Sequence, residues 1–126
     1  MLEIIKYTDL ESIDNETKRT YNDKHTPFIF CEEKAKKGEK FKVKIIVGNN
    51  VSHPDDFDHY IKFVQLWDGN TFLAEAHFPP GVLANAPNKV EVDFYIVPKN
   101  KLKLTALEYC TKHGLWQSPE VVVEVE

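Results

Sequence analysis

Apolar and polar residues alternate along several short stretches of this chain, and this period of two limits the fold more than any other feature. In the clearest stretch, Lys42 and Lys44 lie between apolar residues, which are Phe41, Val43, Ile45 and Val47. Such alternation points successive side chains of a β-strand to opposite faces of its sheet. Two later stretches are joined by Asp68-Gly69-Asn70, a hairpin turn in which glycine tolerates a positive φ. The chain is therefore predicted to be built from strands.

About seven short strands are separated by turn residues, without a long helical pattern, which predicts an all-β antiparallel sandwich. The predicted strands are 28–31, 41–47, 60–67, 71–78, 90–96, 102–110 and 120–126. Residues 1–20 are predicted to be a short N-terminal arm, in which residues 4–7 could form a helical turn, and the polar residues 21–27 a loop. A length of 126 residues suits one domain, so residues 1–126 are predicted to be a single unit.

Charge and composition exclude several function classes. The net charge is −4, with 42% hydrophobic and 29% charged residues, which is ordinary for a soluble globular protein. An acidic chain lacks the basic face that nucleic acid binding needs, and no apolar run approaches the ~20 residues that span a membrane. There is no visible secretory signal and the two cysteines make no disulfide framework, so we expect a cytoplasmic protein with reduced thiols.

A cysteine and a histidine three residues apart, Cys110 and His113, lie where a predicted strand ends. A thiolate and an imidazole at this spacing can bind one metal ion. Three more histidines lie beside turn residues, and loops from distant parts of a sandwich cluster at one end; these are His25, His53 and His59. The pattern predicts a mononuclear metal site with one Cys and four His. We expect His77, within a predicted strand, to lie outside it, and Cys31 to be a buried strand residue.

The number of donors indicates which metal this site would take. Zinc is satisfied by four ligands, or by three and a water, so five protein donors exceed its needs. Four imidazoles can form a square plane with the thiolate as axial donor, and this arrangement suits iron, which accepts six positions. A blue copper site takes two His, a Cys and a weak axial ligand, usually Met. The only methionine is Met1, which argues against copper.

Three motifs in this order and spacing resemble the superoxide reductases of the one-iron, neelaredoxin type and the iron domain of desulfoferrodoxin. The likeness covers about residues 22–118. The family patterns are Glu-Lys-His-x-Pro, His-Pro-x4-His-x-Ile and Tyr-Cys-x-x-His-Gly-Leu-Trp. The matching segments here are Lys24-His25-Thr26-Pro27, His53-Pro54 with His59-Tyr60-Ile61, and Tyr109-Cys110 with His113-Gly114-Leu115-Trp116.

This resemblance implies an immunoglobulin-like sandwich and the one-electron reduction of superoxide to hydrogen peroxide, without oxygen release. Reduced rubredoxin is the usual electron donor of the family, and its short members often form homo-tetramers. Cys110 would be the axial ligand of an Fe²⁺/Fe³⁺ ion, and the equatorial ligands would be His25, His53, His59 and His113. Separately from the resemblance, the positive charge of Lys24 beside His25 leads us to expect that it is a catalytic residue, which attracts superoxide and orders a proton-donating water.

The residue before Lys24 departs from the family pattern. The family has a glutamate there that can bind oxidised iron as a sixth ligand, whereas this chain has Asp23, which is one methylene shorter. We therefore expect that Asp23 does not coordinate the iron.

Two other functions compete with this interpretation. One is a cupredoxin-like electron-transfer protein, which is also a β-sandwich with a late Cys-x-x-His loop. The other is a metal-free immunoglobulin-like interaction module, in which the His and Cys residues are incidental. Elemental analysis separates the three, because they predict iron, copper or no stoichiometric metal.

Overall fold

The computed structural model describes residues 3–126, which form two β-sheets and one α-helix. The strands are β1 (Ile4–Ile5), β2 (Pro27–Phe30), β3 (Lys34–Ala35), β4 (Phe41–Val47), β5 (Ile61–Asp68), β6 (Thr71–His77), β7 (Glu91–Ile96), β8 (Leu102–Cys110), β9 (Gly114–Gln117) and β10 (Val121–Val125). The helix α1 spans Glu16–His25 and follows a 3-10 turn at Leu10–Ser12. No helix within residues 3–126 is long and apolar enough to cross a lipid bilayer.

The smaller sheet has the order β2-β4-β7, and both of its pairings are antiparallel. The larger sheet is built on β8, which pairs with β5 along one side and with β9 and β10 along the other. β6 extends this sheet beyond β5, whereas β1 and β3 join its far edge by parallel pairing with β9 and β10. One hydrophobic core lies between the sheets; its fully buried members include Val43, Ile45, Leu66, Leu104 and Val123. The predicted β-sandwich is confirmed.

Three short strands were missing from the sequence prediction. Residues 4–5 are a strand rather than part of a helical turn, and β3 lies between the predicted strands 28–31 and 41–47. β9 begins directly after the turn that carries His113. β1 and β3 have two residues each, which is too short for an alternating pattern. They become strands because a neighbouring edge supplies hydrogen-bond partners.

Helix α1 is the main correction, because residues 16–20 were predicted to be part of an arm and residues 21–25 a loop. The helix begins after Asn15, whose side chain accepts a hydrogen bond from the Lys18 N–H at 2.9 Å. It ends before Pro27, which cannot continue it. Its residues carry no apolar stripe, so periodicity gave no signal. The consequence is that His25 is the last residue of a helix.

The chain brings three segments to one end of the sandwich. β2 begins at Pro27, opposite Val47 where β4 ends, and β5 begins at Ile61, opposite Cys110 where β8 ends. The end of α1, the loop 48–60 and the turn 111–113 therefore meet there, as the sandwich prediction required.

Candidate metal centre

His25 is fully buried at the end of α1. Its Nδ1 lies 2.7 Å from the carbonyl oxygen of Tyr21, one helical turn earlier, and a proton on Nδ1 would be donated to that oxygen. This contact fixes the ring and leaves Nε2 free to bind a metal ion. Nε2 is buried and has no hydrogen-bond partner within residues 3–126. A buried polar atom of this kind is costly unless something binds it.

His53 is also fully buried, and two backbone hydrogen bonds with Asn88 hold its main chain. Its Nδ1 lies 2.6 Å from the carbonyl oxygen of Pro54 and its Nε2 lies 3.3 Å from the Cys110 sulfur. His59 is held by two backbone hydrogen bonds with Asp56, and its Nε2 is buried without a partner in the described part of the chain. Three imidazoles thus direct Nε2 into one interior space.

Cys110 lies at the end of β8 with its side chain fully buried. Its sulfur is 3.8 Å from Nδ1 of His113, across the turn that leads into β9. Burial raises the pKa of the thiol, while the backbone N–H groups of Lys112 and His113 point at the sulfur and lower it. These donors would stabilise a thiolate, which is the form that binds metals.

The four imidazoles form a closed ring, which is the most informative feature of the site. Neighbouring rings in the order His25, His53, His59, His113 have centroids 4.8–5.0 Å apart and interplanar angles of 74–81°. The opposite rings of His25 and His59 are 6.5 Å apart. That separation leaves room for one ion between the rings. Ligand atoms of His25, His53, His59 and Cys110 all lie within 4.8 Å of one another.

Burial keeps these histidines neutral at neutral pH. It lowers the pKa of His25 to about 3 and that of His53 to about 4. The pKa values of His59 and His113 are also lowered, first by burial and then by neighbouring positive charge, which includes Lys112 and Lys24. Only the neutral imidazole can bind a metal ion, so these histidines are in the protonation state that metal binding requires.

We expect the metal-free protein to lose stability as the pH falls below about 6.5, the pKa of an unfolded histidine. Between about 6.5 and about 3 the unfolded chain binds more protons than the folded one, so protons favour unfolding. Above that range both states are neutral and the contribution of these histidines is constant. Each fully titrating histidine gives a slope of about 1.4 kcal/mol per pH unit. Urea unfolding at several pH values measures this slope.

The control for this experiment is His77→Gln. His77 is exposed at the end of β6, where its Nε2 lies 2.9 Å from Glu75. The unfolding free energy of this variant should depend on pH as that of the wild type does. The variant His53→Gln should show a smaller slope. An unfolding free energy that stays constant as the pH falls from about 6.5 to about 4.5 would contradict the buried, neutral histidines.

Aromatic side chains pack against one side of the ring of four imidazoles. Trp116, in β9, is 3% exposed and stacks on His25 with centroids 4.8 Å apart and planes 14° apart. Its Nε1–H donates to the carbonyl oxygen of His113 at 3.1 Å. Tyr21 contacts the rings of both histidines, with centroids 4.7 Å and 5.2 Å away. Trp116 belonged to a recognised motif, but Tyr21 gave no signal because α1 was not predicted.

Glu108 is a buried acid that the sequence reasoning missed. Its side chain is fully buried two residues before Cys110, and neither carboxyl oxygen has a hydrogen-bond partner within residues 3–126. Burial raises the pKa of this carboxyl well above its ordinary value. The alternation of β8 could have found it, because Glu108 shares the inward positions with Ala106 and Cys110.

The other residues singled out in the sequence lie as follows. Lys24 is half-buried beside His25, and Asp23 is buried with its carboxylate on the backbone of residues 49–51. Cys31 was predicted to be a buried strand residue, which is wrong: it is half-buried and lies just after β2, where it packs against the core. His77 lies outside the ring of four imidazoles, as predicted.

Comparison with known proteins identifies the family. The Desulfoferrodoxin family profile matches residues 17–119. A superoxide reductase of Pyrococcus furiosus is 36% identical, over 81% of this chain and 90% of that protein. A neelaredoxin of Megalodesulfovibrio gigas is 28% identical, over 79% of this chain and 87% of that protein.

A solved structure extends the likeness over nearly the whole chain. The superoxide reductase (neelaredoxin) of Ignicoccus hospitalis has a TM-score of 0.75 and 27% identity, and the match covers 98% of this chain and 95% of that one. The family match and the sequence identity show that the chain belongs to the desulfoferrodoxin family, among its superoxide reductases of the neelaredoxin type.

Proposed function

We propose that the protein is a superoxide reductase whose mononuclear iron would be held by four imidazoles and the sulfur of Cys110. The imidazoles would be those of His25, His53, His59 and His113. The observation that carries this proposal is the closed ring of imidazoles, with a cysteine sulfur 3.3 Å from one Nε2 and 3.8 Å from one Nδ1.

The donor set fits iron better than the alternatives. Four imidazoles and one thiolate exceed the four ligands of zinc, and a blue copper site would need fewer histidines. A bound iron ion would supply the single electron that superoxide takes up. Cys110 would donate electron density to that ion, and the backbone N–H groups of Lys112 and His113 would partly offset the burial that raises the pKa of its thiol.

The burial of the ligands indicates the side from which superoxide would enter. His25 and His53 are fully buried, whereas His59 and His113 are half-buried. Solvent therefore reaches the ring from the side of His59 and His113. The positive charges of Lys24 and Lys112 act on those same two rings and would attract a small anion there, although the whole chain is acidic.

The test of this function is the stoichiometry of the reaction. Reduced, iron-loaded protein should convert one superoxide, one electron and two protons into one hydrogen peroxide, and no oxygen should be released. Release of one oxygen for every two superoxide ions consumed would indicate dismutation and would contradict the proposal.

We expect Lys24→Ala to slow superoxide capture about tenfold at low salt, because steering by nearby charge typically changes association rates by ten to a thousandfold. The iron content should stay the same, because the lysine is not among the proposed ligands. Pulse radiolysis at several ionic strengths measures the rate. The control is Lys42→Ala, which removes an exposed lysine of β4 that pairs with Asp93 of β7. A Lys24→Ala rate that equals the wild-type rate at every salt concentration would rule out steering.

Three further properties come from the resemblance and stay predictions. We propose reduced rubredoxin as electron donor, a homo-oligomer that is a tetramer, and a cytoplasmic location. Titration of reduced rubredoxin against the oxidised protein, together with light scattering, tests the first two.

A further inference from the structure

Two buried aspartates lie on either side of the segment that carries His53. Asp23, in α1, is 4% exposed, and its Oδ1 accepts hydrogen bonds from the backbone N–H groups of Asn49, Asn50 and Val51 at 2.7, 3.1 and 3.3 Å. The N–H of Asn50 also lies 3.1 Å from Oδ2. A buried carboxylate without a cationic partner is stabilised by such donors. Asp23 thus ties α1 to the loop after β4.

Asp55 does the same on the other side. It is 1% exposed, and its oxygens accept from the N–H groups of Gly81, Leu83 and Asn85 at 3.1, 2.8 and 3.0 Å. The loop it holds contains two non-glycine residues with positive φ, Ala84 at 62° and Asn85 at 57°. Such conformations persist only where the surroundings hold them, and the carboxylate supplies three of the contacts.

Both sets of contacts restrain the main chain around His53. On the Asp23 side, Gly48 N–H donates to the Thr26 carbonyl oxygen at 2.8 Å, and a Cβ on Gly48 would lie 2.6 Å from the Val51 oxygen. On the Asp55 side, His53 exchanges two backbone hydrogen bonds with Asn88, which belongs to the same loop as Gly81. The segment from 48 to 55 is therefore fastened at both ends, with His53 between.

We propose that Asp23 and Asp55 are positioning residues that fix His53 relative to His25 and Cys110, and that Asp23 is not a metal ligand. Asp23 connects the helix that ends at His25 with the loop that leads to His53, so it sets the separation of these two imidazoles. Its carboxylate is directed to backbone donors, and turning it toward the ring of four imidazoles would leave the N–H groups of residues 49–51 without this acceptor. This inference rests on the proposed function, because it assumes that the ring binds a metal.

The test measures metal affinity with Co²⁺ as probe, by competition with a chelator and by the visible absorption of the cobalt–thiolate centre. Asp23→Ala and Asp55→Ala should weaken Co²⁺ binding by roughly 10- to 100-fold, the range typical of residues that orient metal ligands. Asp23→Asn and Asp55→Asn keep one acceptor oxygen and should weaken it less. Asp58→Asn removes an exposed carboxylate from the same loop and should leave the affinity unchanged. Affinities of both Ala variants equal to wild type would overturn the inference.

A second measurement separates positioning from ligation and from a general loss of stability. In the iron-loaded protein, Asp23→Asn should speed hydrogen exchange at the amides of residues 49–51 and leave the visible spectrum of the oxidised form unchanged. A shifted spectrum would identify Asp23 as a ligand, and unchanged exchange would show that it does not hold the loop. This result decides the question even if the Ala variants do not fold. Wild-type protein that binds neither metal would overturn the proposed function and this inference together.

Discussion

Cys110→Ser should lower the rate of superoxide reduction by roughly a hundredfold or more, because loss of a direct ligand should cost at least as much as loss of a residue that orients one. A serine hydroxyl does not ionise near neutral pH, so the variant loses the charged, strongly donating ligand while the side-chain volume changes little. Pulse radiolysis of the iron-loaded variant measures the rate, and the visible spectrum of the oxidised form should lose its sulfur-to-metal absorption.

Cys31→Ser is the matched control for this experiment. Cys31 is half-buried just after β2 and packs against the core outside the ring of four imidazoles. Its replacement should leave both the rate and the spectrum as in wild type. A Cys110→Ser protein that reduces superoxide at the wild-type rate would show that the sulfur has no part in the reaction.

Trp116→Ala should lower the free energy of unfolding by about 3–5 kcal/mol, the usual effect of truncating a buried tryptophan. The variant also removes the ring that stacks on His25 and the N–H that donates to the carbonyl oxygen of His113. We therefore expect weaker metal binding in addition to lower stability. Urea unfolding and metal competition measure the two effects separately.

Trp67→Ala is the comparison for that variant, because Trp67 is half-buried in β5 and its Nε1–H donates to Gln65 instead of to a residue of the site. It should cost less stability and leave metal affinity unchanged. Equal losses of metal affinity in both variants would mean that Trp116 supports the fold alone and does not orient the imidazoles.

The sequence predicted the long strands well and the short elements poorly, for physical reasons. β4 and β8 have one face in the core, so their side chains alternate, and their predicted ends agree with the structure. Helix α1 escaped detection because only its final turn is buried, at Asp23 and His25. β1 and β3 depend on edges supplied by distant strands, and two residues cannot carry a periodic signal.

For the site as well, the motifs were more informative than the predicted secondary structure around them. The structure brings His25, His53, His59 and Cys110 together as the motifs implied, with His113 beside them, although His25 lies on a helix instead of a loop. Which of these atoms bind the metal, and the part that Lys24 plays, stay predictions.

The supporting residues could not be foreseen in the same way. Asp23 and Asp55 act through backbone N–H groups that lie 26–30 residues away in the chain, and no spacing rule reports such contacts. Glu108 looks like any charged residue of a strand until its inward position is known.

The metal content of the protein purified from iron-replete cells tests the central claim most directly. We expect about one iron per chain, because the proposed ligand set of four imidazoles and one thiolate suits a single iron ion. The removal of that iron by a chelator should abolish superoxide reduction, and its return should restore it. Protein from such cells that folds normally but contains no stoichiometric iron, or copper in its place, would contradict the account.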